Sequence, residues 1–448
     1  MIEYGRRQLR SRRPLAKVSA GVIAATLLAA GCAAPAPHLL LNGIAANHRA
    51  PGGIVALPVP RGPGRLDPAG VSLGSAAVPS RAQRQWLATG TVPGSTPAER
   101  RLAASALDDL RLLSQPNGAV AAAWYSRWKY TWPRDDSWIA AAFSATGHPA
   151  ESLRILRFLA RVQDPSGRWA ARYLLTGTPV WTGLASELDA DGWFGWAVWI
   201  WHEQAPDRAA ARRQLGSLWP AVRRAADHTV ASLSPAGLPP TSPDYWEQHV
   251  TLPTIGTAAP LLAGLRAAAR LAALRGDTAD ATRWTAAASR LNRGIQVAFG
   301  PRYPRFPTSD GGAAGWLALF GTGPGQGQAG QAATSILNGP DAAVTFLGPP
   351  FAPASGTVTA AISQAARVLT LPNGGILPGT TWHGSRTTAW TPATGFFALS
   401  AASSGDVVAA RAWLSWLDAH RTSVGALPEQ VDAAGRPVSV APLGWTDA

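Results

Sequence analysis

The sequence of 448 residues has little cysteine, lysine or glutamate. Cys32 is its one cysteine, so the chain forms no internal disulfide and no thiolate metal centre, and its stability has to come from a packed core. Lysine occurs only at Lys17 and Lys129, and charged residues make up 15% of the chain, against roughly 25% in an average globular protein. The seven glutamates are Glu3, Glu99, Glu151, Glu187, Glu203, Glu247 and Glu429. This composition excludes coiled coils and acidic tail proteins.

Apolar and aromatic side chains are abundant instead. Hydrophobic residues form 46% of the chain, which excludes wholesale disorder. Tryptophan occurs 20 times and tyrosine only 6 times. We therefore expect a compact protein with a flat, aromatic-lined surface.

The formal net charge of +14 suggests a nucleic-acid partner, but its distribution argues against one. Residues 1–31 hold six basic groups and one acid, so they contribute +5 of the total. The remaining basic residues are almost all arginines scattered along helical stretches rather than clustered. We expect no nucleic-acid binding.

The N-terminal segment has the pattern of an export signal. A basic stretch precedes the apolar run 18–30, which is too short to span a bilayer comfortably. The following Gly31-Cys32 resembles a bacterial lipoprotein box in which the cysteine is lipidated, although Ala29 stands where leucine is usual. Residues 11–17 also resemble a twin-arginine signal. We expect 1–31 to be a signal peptide, with the protein on the outer face of the bacterial cytoplasmic membrane through Cys32, or secreted; a chance free cysteine is the alternative.

The rest of the chain divides into a tether and one helical domain. Residues 32–95 are rich in Pro, Gly and Ala and predict a tether with a strand or two. The domain covers 96–448 and opens at Thr96-Pro97-Ala98-Glu99, a typical helix start. Helical periodicity predicts about twelve segments, near 97–113, 134–146, 149–163, 188–204, 208–232, 256–273, 278–297, 312–320, 327–337, 357–369, 391–403 and 405–419. Twelve successive helices predict an all-α (α/α)6 barrel, with six inner helices ringed by six outer ones and a pocket at one end.

Four polar and aromatic segments interrupt the Ala-rich background. They are 130–136, 187–193, 242–249, and 427–432 with the following 442–446. Each has a plain structural interpretation as well, such as a helix cap or a surface loop acid. Together they supply a pair of carboxylates and aromatic platforms, which is the minimum equipment for cleaving a glycosidic bond. No spacing resembles a zinc or calcium site, so we expect no metal and no cofactor.

Individual residues in these segments suit sugar binding and acid chemistry. Trp132 beside Arg134 and Asp135 can stack a sugar ring and bond its hydroxyls. Asp191 belongs to a group of three carboxylates at a helix entrance that could line a polar pocket. Glu247 lies between aromatic residues, where desolvation raises a carboxyl pKa, as a general acid needs.

In this order the segments resemble glycoside hydrolase family 15, the glucoamylase family, over about residues 100–448. The matching stretches are Trp132-Pro133-Arg134-Asp135, Asp244-Tyr245-Trp246-Glu247, Pro428-Glu429-Gln430 and Leu443-Gly444-Trp445-Thr446-Asp447-Ala448. The resemblance implies that Glu247 is the general acid and Glu429 the general base. It also implies that Arg134 and Asp135 hold the terminal glucose, and we add Trp132, Asp191, Asp244, Trp246 and Trp445 to the expected sugar-binding set.

The family further implies an exo-acting, inverting hydrolase that releases glucose from α-glucans without a metal. Two segments depart from its pattern: at 374–379 an expected sugar-binding arginine is missing, with Arg386 nearby but out of register, and 308–312 is degenerate. Three alternatives therefore stay open: a trehalase, a glucodextranase, or a non-catalytic sugar-binding lipoprotein on a decayed hydrolase scaffold. We expect a monomer whose partner is an oligo- or polysaccharide.

Overall fold

A computed structural model describes residues 40–47, 53–58, 81–125, 128–181, 183, 186–308, 338–422 and 425–448. The predicted signal peptide, Cys32 and the predicted helices at 312–320 and 327–337 lie outside the described residues.

Helices dominate the described chain. The α-helices are α1 (Arg81–Leu87), α2 (Pro97–Leu113), α3 (Pro133–Ala145), α4 (Pro149–Val162), α5 (Asp189–Gln204), α6 (Arg208–Ser232), α7 (Ile255–Arg275), α8 (Thr278–Phe299), α9 (Gly356–Leu369), α10 (Thr391–Ser403), α11 (Val407–Ala419) and α12 (Gly444–Asp447). A 3-10 helix spans Ala342–Leu347. The strands are β1 (Leu40–Asn47), β2 (Gly53–Pro58), β3 (Ala389–Trp390), β4 (Gln430–Val431), β5 (Pro437–Val438) and β6 (Val440–Ala441), in two small sheets ordered β2-β1-β6 and β3-β4-β5.

The helices form a closed double ring. The inner members are α3, α5, α7, the 3-10 helix, α10 and α12; each packs on the next, and α12 returns to α3. The outer members α2, α4, α6, α8, α9 and α11 alternate with them along the chain. The predicted (α/α)6 barrel is confirmed.

Two inner helices and one leading helix are not predicted by the sequence pattern. The 3-10 helix has six residues and α12 has four, which is too short for a helical period to show. Helix α1 lies inside the segment expected to be a tether, and it packs on α2 with Trp86 buried in the main core.

Local chemistry explains where several helices begin. Thr96 accepts a hydrogen bond from the Glu99 amide while the Glu99 carboxylate accepts one from the Thr96 amide, so the predicted helix start is a full capping box. Helix α7 is apolar enough to cross a membrane by length and composition, but 78% of its most apolar window is buried inside the protein. It is a core helix of the ring.

Aromatic side chains fill the centre of the ring. Trp138 on α3 lies 5.1 to 6.1 Å, centroid to centroid, from six other rings. These are Trp193, Trp196, Phe346, Phe351, Phe396 and Trp445. Much of the tryptophan that predicted an aromatic surface therefore builds the core, where large rings bury the most apolar area per residue.

Glycine permits the closest approach of two inner helices. A Cβ atom on Gly192 of α5 would lie 2.1 Å from the Pro260 carbonyl oxygen of α7, and one on Gly264 of α7 would lie 2.4 Å from the Gly192 Cα. No larger residue fits at either position without moving the two backbones apart.

Acidic side chains lie where α12 packs on α2. Both carboxylate oxygens of Asp447 are buried without a hydrogen-bond partner among the described residues. Burial and the neighbouring Asp108 raise the pKa of Asp109 to about 8. Burial and Asp109 together raise the pKa of Asp447 well above its usual range. The folded protein therefore keeps protons on this pair that the unfolded chain releases near pH 4.

This pair predicts that the protein loses stability as the pH rises. Because the folded-state pKa values lie above the unfolded ones, the folded state binds more protons, and the stability present at acid pH declines from about pH 4 through about pH 8. Asp447→Asn, which mimics the protonated acid, should flatten the fall in melting temperature between mildly acidic and mildly basic pH.

Asp164→Asn is the control, since hydrogen bonds from Ser166 and Arg168 lower the pKa of that exposed carboxyl and so remove it from this pH window. An Asp447→Asn melting curve as steep in pH as that of the wild type would contradict the assignment.

Candidate active site

All four segments singled out in the sequence meet at one end of the ring. The residues that precede the six inner helices are Trp132, Leu188, Thr254, Asp341, Trp390 and Leu443. Because inner helices alternate with outer ones, they all begin at the same end, and their amino-terminal dipoles favour anionic groups there. The barrel therefore gathers loops that are distant in sequence around one polar centre.

Arg134, at the start of α3, is that centre. Its side chain is buried and lies within ion-pair distance of four carboxylates. The four are Glu187 at 2.6 Å, Asp189 at 3.4 Å, Asp135 at 3.4 Å and Glu247 at 3.6 Å. The guanidinium carbon also lies 4.9 Å from the ring centroid of Trp445 on α12. One arginine thus joins the start of α3, the entry to α5, the Glu247 loop and α12.

The carboxylates in this cluster outnumber the guanidinium groups. Burial raises the pKa of Asp135 to about 7 and that of Asp189 to about 6, even though Arg134 favours their ionised forms. Burial also raises the pKa of Glu187 well above its usual range. The cluster therefore holds protons at mildly acidic and neutral pH, which is a condition for acid catalysis.

Glu247 is the exposed member of the cluster. Its side chain is 34% accessible, and its carboxylate oxygens lie 3.6 Å from Arg134 Nη2 and 3.7 Å from Arg172 Nη1. Its backbone has φ of 52°, a left-handed conformation that costs roughly 1–3 kcal/mol for a residue other than glycine and is concentrated at functional sites. Arg172 in turn lies over the ring of Trp132, at 5.2 Å.

A second buried arginine, Arg305, contacts the residues that precede Glu247. Arg305 Nη2 lies 2.9 Å from Asp244, and its Nη1 lies 2.9 Å from Asp341. Its guanidinium carbon is 3.7 Å from the centroid of Trp246, and Tyr245 donates a hydrogen bond of 2.6 Å to Asp341. Both ends of the Asp244–Trp246 segment are therefore fixed, so the next residue, Glu247, has a defined position.

Glu429 is oriented by side chains from other segments. Trp128 donates to one carboxylate oxygen at 3.3 Å, and the Ser439 hydroxyl donates to the other. The Thr391 hydroxyl at the start of α10 donates to the Glu429 carbonyl oxygen at 3.0 Å and pairs with the Thr446 hydroxyl of α12 at 2.8 Å. Glu429 thus lies at the same end of the ring as Arg134, and its carboxylate is buried.

A row of indole rings runs between the segments that carry the two glutamates. Trp246 lies 5.0 Å from Trp382, and Trp382 lies 5.0 Å from Trp390, centroid to centroid. Trp390 pairs with Gln430, the residue after Glu429, in the β3–β4 ladder. Rings of this kind bind the apolar faces of sugars.

Most of the predicted site residues are found together. Trp132, Arg134, Asp135, Asp244, Trp246, Glu247, Glu429 and Trp445 all lie at this end of the ring. Asp191 lies apart from the Arg134 contacts: its carboxylate is 2.7 Å from His228 Nδ1 on α6, and burial raises its pKa to about 7. Its sugar-binding role stays a prediction.

Several site residues were not predicted individually. Glu187 and Asp189 belong to the segment that predicted a polar pocket, so the signal for them was present. The others, Arg172, Arg305, Asp341, Trp128 and Ser439, lie in loops without a pattern. Within the described ranges no group of three or more His, Cys, Asp and Glu side chains is placed to hold a metal ion.

Comparison with known proteins gives one weak sequence relative. No protein-family model matches the chain. An uncharacterised glycosyl hydrolase of Methanocaldococcus jannaschii is 28% identical over 125 residues, which are 28% of this chain and 19% of that protein. The match thus covers about a fifth of that relative's length.

Solved structures give a broader likeness. A wild-type glycosidase has a TM-score of 0.58 at 19% identity, over 78% of this chain and 93% of its own. A bacterial glucoamylase complexed with acarbose has a TM-score of 0.59 at 18% identity, over 81% of this chain and 56% of its own. The glucoamylase of Saccharomycopsis fibuligera has a TM-score of 0.55 at 12% identity, over 78% and 92%. The chain therefore has the glucoamylase-like (α/α)6 fold of glycoside hydrolases.

The Arg305 contacts predict a large loss of stability when that side chain is removed. Arg305→Met keeps most of the apolar volume but leaves Asp244 and Asp341 buried without their cation, which costs about 3–5 kcal/mol. Chemical denaturation measures the change. The matched control Arg293→Met, on the exposed surface of α8, should stay within about 0.5 kcal/mol of the wild type. Equal stability of the two variants would show that the buried pairing is unimportant.

Proposed function

We propose that the protein is a glycoside hydrolase of the glucoamylase type, family 15, that releases glucose from the non-reducing end of α-glucans. The observation that carries the proposal is the Arg134 cluster. Arg134 contacts both the partly exposed Glu247 and Trp445 of α12. Helix α12 in turn contacts Thr391, which donates a hydrogen bond to the Glu429 carbonyl oxygen. Two carboxylates from distant segments thus share one polar, tryptophan-lined end of the barrel. The glycosidase and glucoamylase names of its structural neighbours support the same activity.

Glu247 is proposed as the general acid. Its carboxyl group is the accessible member of the Arg134 cluster, and its oxygens lie 3.6 Å from Arg134 and 3.7 Å from Arg172. From this position it donates a proton to the oxygen of the scissile bond as that bond breaks. The left-handed backbone at Glu247 is a strained conformation of the kind concentrated at functional sites.

Glu429 is proposed as the general base. In an inverting enzyme the base removes a proton from a water molecule that attacks the anomeric carbon from the face opposite the acid. The hydrogen bonds from Trp128 and Ser439 fix the orientation of its carboxylate. This mechanism needs the two carboxyl groups to be roughly 6.5–9.5 Å apart, which leaves room for the water.

Sugar binding is assigned to the residues around the two acids. Arg134 and Asp135 would bond the hydroxyls of the terminal glucose, and Trp132, Trp246 and Trp445 would line its apolar faces. Among the neighbours, a glycosidase variant was solved with glucose and the bacterial glucoamylase with acarbose. An export signal and a lipidated Cys32 would place this activity outside the cell.

The acid and base assignments predict severe losses of rate. Glu247→Gln and Glu429→Gln should each lower glucose release from maltooligosaccharides by orders of magnitude, because neither amide can exchange the required proton. The matched control is Glu203→Gln, since Glu203 pairs with Arg208 on the surface. Near wild-type kcat/KM in either active-site variant would exclude that residue from the chemistry.

The inverting mechanism predicts that the first product is β-glucose when the substrate linkage is α. Starch, maltose, isomaltose and trehalose should be tested in parallel, with the anomer followed by NMR before mutarotation. Preference for trehalose or isomaltose would assign the trehalase or glucodextranase alternative. Binding of these sugars without any turnover would instead identify a sugar-binding protein on a hydrolase scaffold.

A further inference from the structure

The outer wall of the ring carries a groove that has no part in the proposed hydrolase site. It has a volume of about 530 Å³ and lies between α4 and the first turns of α6. None of the residues in the Arg134 cluster lines it. The groove is therefore a surface feature separate from the candidate active site.

The floor of the groove is apolar. Leu153 of α4, Trp201 of α5, and Ala205 and Ala211 from the α5–α6 turn and α6 form it, and all four are largely buried. Pro206 is exposed, and the α6 side is lined by Ala210, Ala211 and Gln214. A floor of this kind offers contact area to hydrocarbon but few hydrogen bonds.

One wall of the groove is strongly basic. Arg154, Arg157 and Arg161 follow one another at helical spacing on α4, and all three are exposed. They span about 10 Å along the helix at 1.5 Å per residue. The three guanidinium groups therefore form a continuous positive row above the apolar floor.

These charges have few neutralising partners among the described residues. In the part of the chain that the structure describes, Arg154 and Arg157 take part in no ion pair, and Arg161 donates to the Asn117 carbonyl oxygen at 3.1 Å. The one acid in the lining, Asp207, accepts a hydrogen bond from the Ala210 amide and caps α6. The row is thus available to an external anion.

We propose that this groove binds the headgroup of an anionic phospholipid and holds the outer wall of the barrel against a membrane surface. Guanidinium groups match phosphate oxygens in geometry and charge, while the apolar floor accepts the glycerol and upper acyl carbons. A soluble polyanion would use the arginines but leave the floor uncovered. Basic groups near an anionic leaflet strengthen membrane binding, so the row would act beside the anchor predicted at Cys32.

The test measures partitioning of the full chain onto lipid vesicles, in a Cys32→Ser background so that lipidation cannot contribute. Vesicles of phosphatidylcholine with phosphatidylglycerol should bind more protein than vesicles of phosphatidylcholine alone, and salt should reduce the difference. The N-terminal apolar run is identical in every variant, so it cancels from the comparison. A wild-type protein without preference for the anionic vesicles would overturn the proposal.

The triple variant Arg154→Glu, Arg157→Glu, Arg161→Glu should lower the anionic preference by roughly tenfold or more, because the row changes sign. The matched control, Arg101→Glu, Arg293→Glu, Arg367→Glu, makes the same charge change at exposed positions on α2, α8 and α9. It should lose much less. If both triple variants lose the same preference for anionic vesicles, the effect comes from total charge and the proposal fails.

A single substitution tests the groove without touching its arginines. Ala210→Glu places a carboxylate on the α6 side and should lower anionic vesicle binding several-fold. Glucose release should be unchanged in all these variants, which separates this proposal from the hydrolase assignment. If inorganic polyphosphate displaces the protein as well as a short-chain phosphatidylglycerol does, the groove is a plain polyanion site and the proposal fails.

Discussion

The contact of Arg134 with four carboxylates and Trp445 is the interaction on which the rest of the site depends. It joins the ends of inner helices that are far apart in the chain, and its own pKa is raised well above the usual range by the surrounding acids against the effect of burial. Burying such a cluster adds little net stability, because desolvation offsets the attraction between the charges. We expect its main effect to be on specificity, because few arrangements of the loops can bring four carboxylates to one guanidinium group. Arg305 likewise pairs with two further carboxylates, Asp244 and Asp341, next to the Glu247 loop. The position of the proposed acid is thus determined by two buried arginines rather than by the helices alone.

The sequence predicted the barrel and the segments of the site better than the individual contacts. Alternating helices with clear caps, such as the Thr96 capping box, are readable because helix periodicity and capping are local properties. Glu247 and Glu429 were predicted from short motifs whose neighbours in the chain are also their neighbours in the site. The sequence motif does not distinguish the different contacts of Asp189 and Asp191. They lie two positions apart at the start of α5, about 200° around the helix axis, so one contacts Arg134 and the other His228. Arg172 and Arg305 have site roles because of partners that are distant in sequence. No local pattern predicts those contacts.

The two ends and the outer wall of the ring carry different chemistry. The beginnings of the inner helices gather acids, and two arginines there, Arg134 and Arg305, are buried and paired. Exposed arginines lie on the outer helices instead, and on α4 Arg154 and Arg157 form no ion pair among the described residues. Charge of this kind attracts anionic surfaces without acting on an uncharged sugar, the substrate proposed for the site. The abundance of tryptophan divides in a similar way, between the packed centre around Trp138 and the row that runs from Trp246 to Trp390.

The closure of the inner ring by α12 affects when the site can form during synthesis of the chain. Helix α3, which carries Arg134, is synthesised well before the segment of Glu429 and before α12, which carries Trp445. Domains begin to fold during synthesis, at roughly 5–20 residues per second, but this ring cannot close before its final helix is available. Until then Arg134 lacks the indole beside it, and the two glutamates belong to separate parts of an open structure. The growing chain therefore has no formed site until α12 has been synthesised and packs against α3.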